Sequence, residues 1–384
     1  MVATSTHPDV APDWAAIAIV ILSVTAFAVA QGLTFPLISL ALEARGVAGS
    51  VIGLNAATYA AGAIASVLII DRITARVRGS SLIVAALFGC SVSLAAFSMT
   101  DFLPIWFIAR FAVGFCASLI SIQSGAWLST ASPEGIRGRV SGFYGAGMCL
   151  GFAAGPLAIP FMGTTGGVAF TVVAGYIATI GVACAFFTSR TRTVPAHAPA
   201  GSLLRFISLA PVLVLVELIF GFADIAAISG MAVYFVRMGH TEAFAAYAIT
   251  VLSLPTAFAQ PLVGWLLDKD SRPGVTISCG LLAAIAFLVI PFLVSETLIL
   301  FVFAIIGIAT FALSTCALTI LGERFAGGML VAGTASFSLA YSIGSAMGST
   351  GTGLLLDWIS PSAVPTSVGL CLIAFTILIL FKHP

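Results

Sequence analysis

Three ionisable residues, Arg110, Glu217 and Asp224, lie inside long apolar runs of a 384-residue chain that is 60% hydrophobic and only 8% charged. A charge at mid-depth in hydrocarbon costs roughly 2.5–3.5 kcal/mol on insertion scales. Such residues persist where they pair, face a cavity or relay a proton. Glu217 and Asp224 are seven residues apart, so on a helix they share a face with Gly221, Ile228 and Met231. At the helical rise, Asp224 lies roughly 20 Å from Arg237 and Glu217 roughly 18 Å from Arg205, which places both near the middle of a span. A carboxylate there can take up and release a proton as a cavity opens to one side and then the other. The alternative is a structural carboxylate, hydrogen-bonded between helices. Arg110 lies roughly 13 Å inside Asp101 by the same rise. Its guanidinium keeps its proton and needs a partner. Asp224 is the nearest acid in depth, so an Arg110–Asp224 pair is expected, either breaking and re-forming with protonation or bridging statically. Ala117, Ser121 and Ser124 share the face of Arg110, and Gln123 points elsewhere.

These residues need spanning helices to carry them. Mean hydropathy is +1.17 over the chain, too apolar for a surface wetted all round. A helix of about 20 apolar residues crosses a bilayer. Twelve such runs are expected, near 14–36, 51–70, 79–98, 103–128, 138–162, 167–188, 207–235, 242–267, 274–294, 297–321, 331–356 and 362–381. Met1–Asp13 carries no Lys or Arg, so the first run is expected to be a retained anchor rather than a cleaved signal. With the N-terminus cytoplasmic, twelve Lys and Arg residues fall in cytoplasmic segments and only Arg45 and Arg237 in outer ones. That is the positive-inside pattern, and it places both termini in the cytoplasm of a bacterial-type inner membrane. Trp14, Trp106, Trp127, Trp265 and Trp358 fall near predicted helix ends, as an aromatic belt requires. Net charge is +1, so nucleic acid is not an expected partner. The Cys residues lie in apolar runs with no Cys-x-x-Cys or Cys/His cluster, and no His lies at depth. Neither a metal site nor a cofactor is expected, and histidine is not the proton switch.

The polar stretch 189–206 divides the chain. The expected organisation is an N-terminal tail 1–13, a six-helix bundle 14–188, a cytoplasmic linker 189–206, a second six-helix bundle 207–381 and a tail 382–384. The halves echo each other. Asp71-Arg72 ends the second run and Asp268-Lys269 the eighth. Small residues recur every four positions at Gly147, Gly151 and Gly155 in the fifth run. They do so again at Ser336, Ala340, Gly344, Gly348 and Thr352 in the eleventh. Such stripes let helices approach closely in lipid, and internal repeats with a site between them mark secondary transporters.

With these motifs the chain resembles the major facilitator superfamily over nearly its whole length. Asp71, Arg72 and Arg76 fit the loop pattern Gly-x-x-x-Asp-Arg-x-Gly-Arg-Arg, with Val67 and Thr74 in place of its glycines. Gly264, Asp268, Lys269 and Arg272 form a fuller second copy. Arg110 and Gly114 match an Arg-x-x-x-Gly signature, and Gly142, Gly151, Gly155 and Pro156 match the Gly-x8-Gly-x3-Gly-Pro pattern of drug/proton antiporters. The resemblance implies an all-α membrane fold of two pseudo-symmetric six-helix bundles rocking about a cavity lined by helices 1, 4, 7 and 10. It also implies that Asp71, Arg72, Arg76, Asp268, Lys269 and Arg272 form a cytoplasmic gate. One departure is the first helix, which has no acid before Glu43, where many proton-coupled drug exporters carry one; its polar groups at depth are Gln31 and Thr34.

Gln31, Asn55, Ser121, Met231, Tyr234 and Thr315 are candidates for the cavity wall, with Asp224, Glu217 and Arg110 as the coupling set. Gly142, Gly151, Gly155, Pro156, Gly344 and Gly348 are read as packing. The expected function is proton-coupled movement of a small organic solute by alternating access, with export by antiport ahead of uptake by symport. Arg110 facing two acids favours a neutral or cationic solute. A transporter-like assembly factor or a metal importer would be the other classes. No catalytic or nucleotide-binding motif is present to suggest an enzyme or a pump. The expected partners are solute, protons and lipid, and a single chain suffices for the mechanism.

Overall fold

The computed structural model describes residues 13–74, 76–131, 134–165, 167–188, 203–269, 272–325 and 328–382. The tail 1–12 and most of the expected linker, 189–202, lie outside them. Twelve long helices run through these residues: α1 (Trp14–Ala44), α2 (Gly49–Thr74), α3 (Gly79–Met99), α4 (Leu103–Ala131), α5 (Glu134–Ala154), α6 (Val168–Thr188), α7 (Pro211–Arg237), α8 (Glu242–Lys269), α9 (Arg272–Val289), α10 (Glu296–Arg324), α11 (Gly328–Trp358) and α12 (Ala363–Lys382). No strand occurs among the described residues. Eleven of the helices are long and apolar enough to cross a membrane. The twelfth, α11, has the length, but its serines, threonines and glycines dilute its hydropathy. These small residues suit a helix that meets other helices rather than lipid.

Helix boundaries follow local chemistry. Asp13 caps α1, its Oδ1 accepting from the amide of Ala16 at 3.2 Å, which satisfies one of the free first-turn donors. The helix continues through Pro36 to Ala44, eight residues past the expected end. The stretch Leu37–Leu42 is buried and apolar but for Ser39, whose hydroxyl bonds back to the Phe35 carbonyl, so nothing stops the helix before the polar Glu43. In α5 the run breaks where expected. Pro156 has no amide donor, and the chain tightens into a 3-10 turn over Gly155–Ala158 before a last α turn, Ile159–Met162. α7 is interrupted without a proline. Its first part, Pro211–Ile225, passes through a π turn at Ala226–Gly230 into Met231–Arg237. A π turn offsets the helix register and is common at functional sites. A short helix, Leu203–Leu209, leads into α7.

The packing repeats itself. α1 packs on α5, α2 on α4 and α3 on α6; six helices later α7 packs on α11, α8 on α10 and α9 on α12. The two sets meet along α2–α11 and along α5–α8, which are again equivalent pairs. The glycine stripes make the first relation possible. A Cβ at Gly155 would strike the backbone of Val29 and Leu33 on α1, and one at Gly344 would strike the carbonyl of Leu218 on α7. Both expected stripes are therefore seams, α5 against α1 and α11 against α7.

The five tryptophans expected in an aromatic belt split three to two. Trp14, Trp265 and Trp358 are exposed, whereas Trp106 and Trp127 are fully buried. Trp106 stacks edge-on to Phe97 and Phe170 and donates its indole N–H to the carbonyl of Thr100 at 2.8 Å. Position near a helix end did not distinguish a lipid-facing ring from one turned into the bundle.

Candidate functional site

α4 carries Arg110 into the bundle at 1% exposure. One guanidinium nitrogen donates to the carbonyl of Thr34 on α1 at 3.4 Å. The guanidinium carbon lies 4.9 Å from the centre of the Phe35 ring and 5.5 Å from that of Tyr59, within the range of cation–π attraction. Its Nε has no partner, and among the described residues Arg110 takes part in no ion pair. Tyr59 on α2 is held by Gln31 on α1, whose side-chain amide donates to the phenol oxygen at 2.9 Å. Residues of α1, α2 and α4 thus build a polar-aromatic cluster around one cation.

α7 carries both carboxylates, each buried, in the turns before the π turn. Asp224 accepts a hydrogen bond from the Tyr341 hydroxyl on α11 at 2.7 Å. Glu217 accepts one from the Ser314 hydroxyl on α10, also at 2.7 Å. The two acids lie two turns apart on α7, and each turns to a different neighbour. The expected Arg110–Asp224 pair is not formed in this conformation. Tyr341 occupies the position of partner, and the cation is screened instead by two aromatic faces and a carbonyl.

A small cavity separates the two groups. Phe35, Ala56, Tyr59, Ala60 and Arg110 line it from one half, and Ile225, Tyr341, Ser342 and Ser345 from the other. Its volume of about 20 Å3 holds about one water. Of the expected wall residues, Gln31 lies just behind the cavity through Tyr59. Asn55 is buried with neither side-chain atom partnered. Met231 and Tyr234 are buried beyond the π turn, away from the cavity wall. Thr315 is half-buried and donates to its own helix at the Phe311 carbonyl, 3.1 Å away. Ser121 is exposed, while Ser124 and Gln123 are buried. Tyr341 is the residue that sequence reasoning missed. It stands beside the small-residue stripe of α11, and a lone tyrosine within such a stripe was its only signal.

The end where α1, α5, α7 and α11 finish is sealed by charge. Arg237 at the end of α7 grips Glu43 at the end of α1 in a two-pronged pair, at 2.8 and 3.0 Å. It also donates to the Leu356 carbonyl at 2.9 Å and lies 3.4 Å from Asp357 on α11. Asp357 in turn accepts from the amides of Gly49 and Ser50, at 2.7 and 2.6 Å, capping α2 from the opposite half. Thr164, just past α5, donates to Glu242 at the start of α8 at 2.7 Å. Below this network Gly53 on α2 lies against Ser349 and Gly353 on α11. At the other end Arg72 and Arg76 are exposed. The side chains of Asp71, Asp268, Lys269 and Arg272, and the surroundings of Gly142, lie outside what is described. Among the described residues no group of three or more His, Cys, Asp or Glu could hold a metal ion.

A two-bundle helical architecture with buried charges flanking a central cavity is that of a membrane transporter. The sequence matches the Major Facilitator Superfamily over residues 20–349 and 213–384. The chain belongs to that superfamily. Among similar proteins, an uncharacterized MFS-type transporter, YfkF of Bacillus subtilis (strain 168), is 24% identical over 345 residues, covering 86% of each chain. A solved structure of a bacterial homolog to the human lysosomal transporter Spinster, inward-facing and unoccupied, superposes with a TM-score of 0.73. It is 14% identical and covers 95% of this chain and 94% of that one, a likeness of fold.

Proposed function

We propose that this protein is a proton-coupled carrier of a small organic solute, working by alternating access in a bacterial inner membrane with both termini cytoplasmic. The observation that carries the reading is Asp224. It is a buried carboxylate whose hydrogen-bond donor, Tyr341, also lines the cavity between the halves. Protonation of Asp224 removes the charge that Tyr341 serves, so proton binding and cavity shape share one hydrogen bond. Glu217, with a single serine donor on α10, is the second acid of the coupling set. Arg110 completes it by setting the electrostatic field of the cavity.

On this reading the sealed end faces outward, and the Glu43–Arg237–Asp357 network is a latch that opens once per cycle. The charged ends of α2 and α8, with Asp71, Arg72, Arg76, Asp268, Lys269 and Arg272, form the opposing cytoplasmic gate. Export by antiport is favoured by the Gly142–Pro156 pattern, and the helices 14–188 and 207–381 move as two units. One chain is the working unit.

The test is flux of a solute panel in proteoliposomes under an imposed pH gradient, wild type beside Asp224→Asn and Glu217→Gln. Loss of gradient-driven flux in one variant, with solute exchange retained, identifies the coupling acid. Equal gradient-driven flux in all three proteins sinks the coupling reading and leaves both acids structural.

A further inference from the structure

Arg110 presents a problem of charge balance that the rest of the site does not solve. Its guanidinium stays protonated, and a buried cation without a counter-ion is strongly disfavoured. Here it has one long hydrogen bond to a carbonyl, two ring faces and an unpartnered Nε. The carboxylates at similar depth are engaged elsewhere, Asp224 by Tyr341 and Glu217 by Ser314. A water in the cavity would satisfy an N–H but not the charge. Tyr59 adds a second donor. Its oxygen accepts from Gln31, which leaves its own O–H free to point into the cavity it lines.

We propose that Arg110 and Tyr59 form an anion-binding site, and that the solute carries a single negative charge, a carboxylate, which docks between Arg110 and the Tyr341 side of the cavity once the halves part enough to widen it. The fork of a guanidinium matches a carboxylate with two parallel N–H···O bonds. With Asp224 and Glu217 protonated, one buried cation balances one negative charge, which sets the class as monoanionic organic acids. The expectation of a neutral or cationic solute rested on Arg110 facing two acids, and neither acid reaches it. This inference deepens the transport reading, because the same cavity is the carrier's site. Binding itself, however, needs no proton gradient.

The experiment is equilibrium binding to the full-length protein in lipid nanodiscs, at equal pH on both faces. The probes are benzoate, benzamide and benzylamine, with hexanoate, hexanamide and hexylamine as a flexible set. At least one acid is expected to bind, at least about tenfold tighter than its amide and its amine, the size of a hydrogen bond to a charged group. Arg110→Gln should abolish the preference for the acid. Arg110→Lys, which keeps the charge but loses the fork, should weaken acid binding while leaving acid ahead of amide. Tyr59→Phe should weaken acid binding a few-fold while leaving acid ahead of amide. Melting temperature and monodispersity identify a variant that fails to fold; the two milder substitutions then carry the test. Binding of amide or amine as tightly as the acid, binding of no acid, or acid preference that survives Arg110→Gln in a folded protein overturns the proposal. Gradient-driven flux of a non-acid would leave the coupling reading standing, and acid binding without gradient-driven flux would leave the anion site standing.

Discussion

The middle of the molecule and its sealed end handle charge in opposite ways. In the middle, Arg110 is screened by Thr34, Phe35 and Tyr59, all of its own half, and Asp224 and Glu217 are served by Tyr341 and Ser314, both of theirs. No ion pair crosses between the halves there among the described residues. At the end, Arg237 joins Glu43 across the halves, and Asp357 caps α2 across the halves. Charges that cross tie the halves together; charges kept within a half let them part without leaving a partner behind. That division suits a carrier whose end must hold shut while its centre stays able to open.

Substitutions can break or sharpen that contrast. Gly344→Val should have the largest effect. Its side chain would meet the Leu218 carbonyl and push α11 from α7 one turn from Tyr341, costing about 3 kcal/mol and the Tyr341–Asp224 bond; a fall in melting temperature with loss of flux checks it. Arg237→Ala strips the end of its crossing cation and leaves Glu43 and Asp357 facing each other. A loss of about 2 kcal/mol is expected, together with faster thiol labelling of a cysteine placed at Ser50. A double-mutant cycle then compares the two regions directly. Glu43 and Arg237 should couple by roughly 1–2 kcal/mol, whereas Arg110 and Asp224 should be additive within about 0.5 kcal/mol. Strong coupling of the second pair would erase the contrast. Ser314→Ala is expected to cost about 1 kcal/mol through Glu217 and to leave acid binding at Arg110 unchanged.

Much of the architecture was legible because hydropathy and charge placement act along one helix at a time. The helix count, the break at Pro156 and the small-residue seams all follow from residues close in sequence. The first helix ran on to Ala44 because an apolar stretch follows Pro36, and a span-length argument stops too early there. The site was legible only in its charged members. Depth along a helix ranked Asp224 as the partner of Arg110, but depth says nothing of rotation about the helix axis. The π turn after Asp224 and the seating of α11 against Gly221 decide instead that a tyrosine meets the acid. Likewise Glu43 and Arg237, distant by 194 positions, read singly as ordinary loop charges, because nothing local marks two helix ends as neighbours.

The cap that Asp357 lends to α2 has a consequence of its own. The amides of Gly49 and Ser50 belong to the first turn, where no helical carbonyl serves them. On the alternating-access reading proposed above, parting of the halves takes that carboxylate away and water replaces it, so the first turn of α2 loses its protection. Amide hydrogen exchange at Gly49 and Ser50 should therefore run slow in this conformation and fast in the opposite one. The protein carries, in two backbone protons, a native gauge of which way it faces that needs no label.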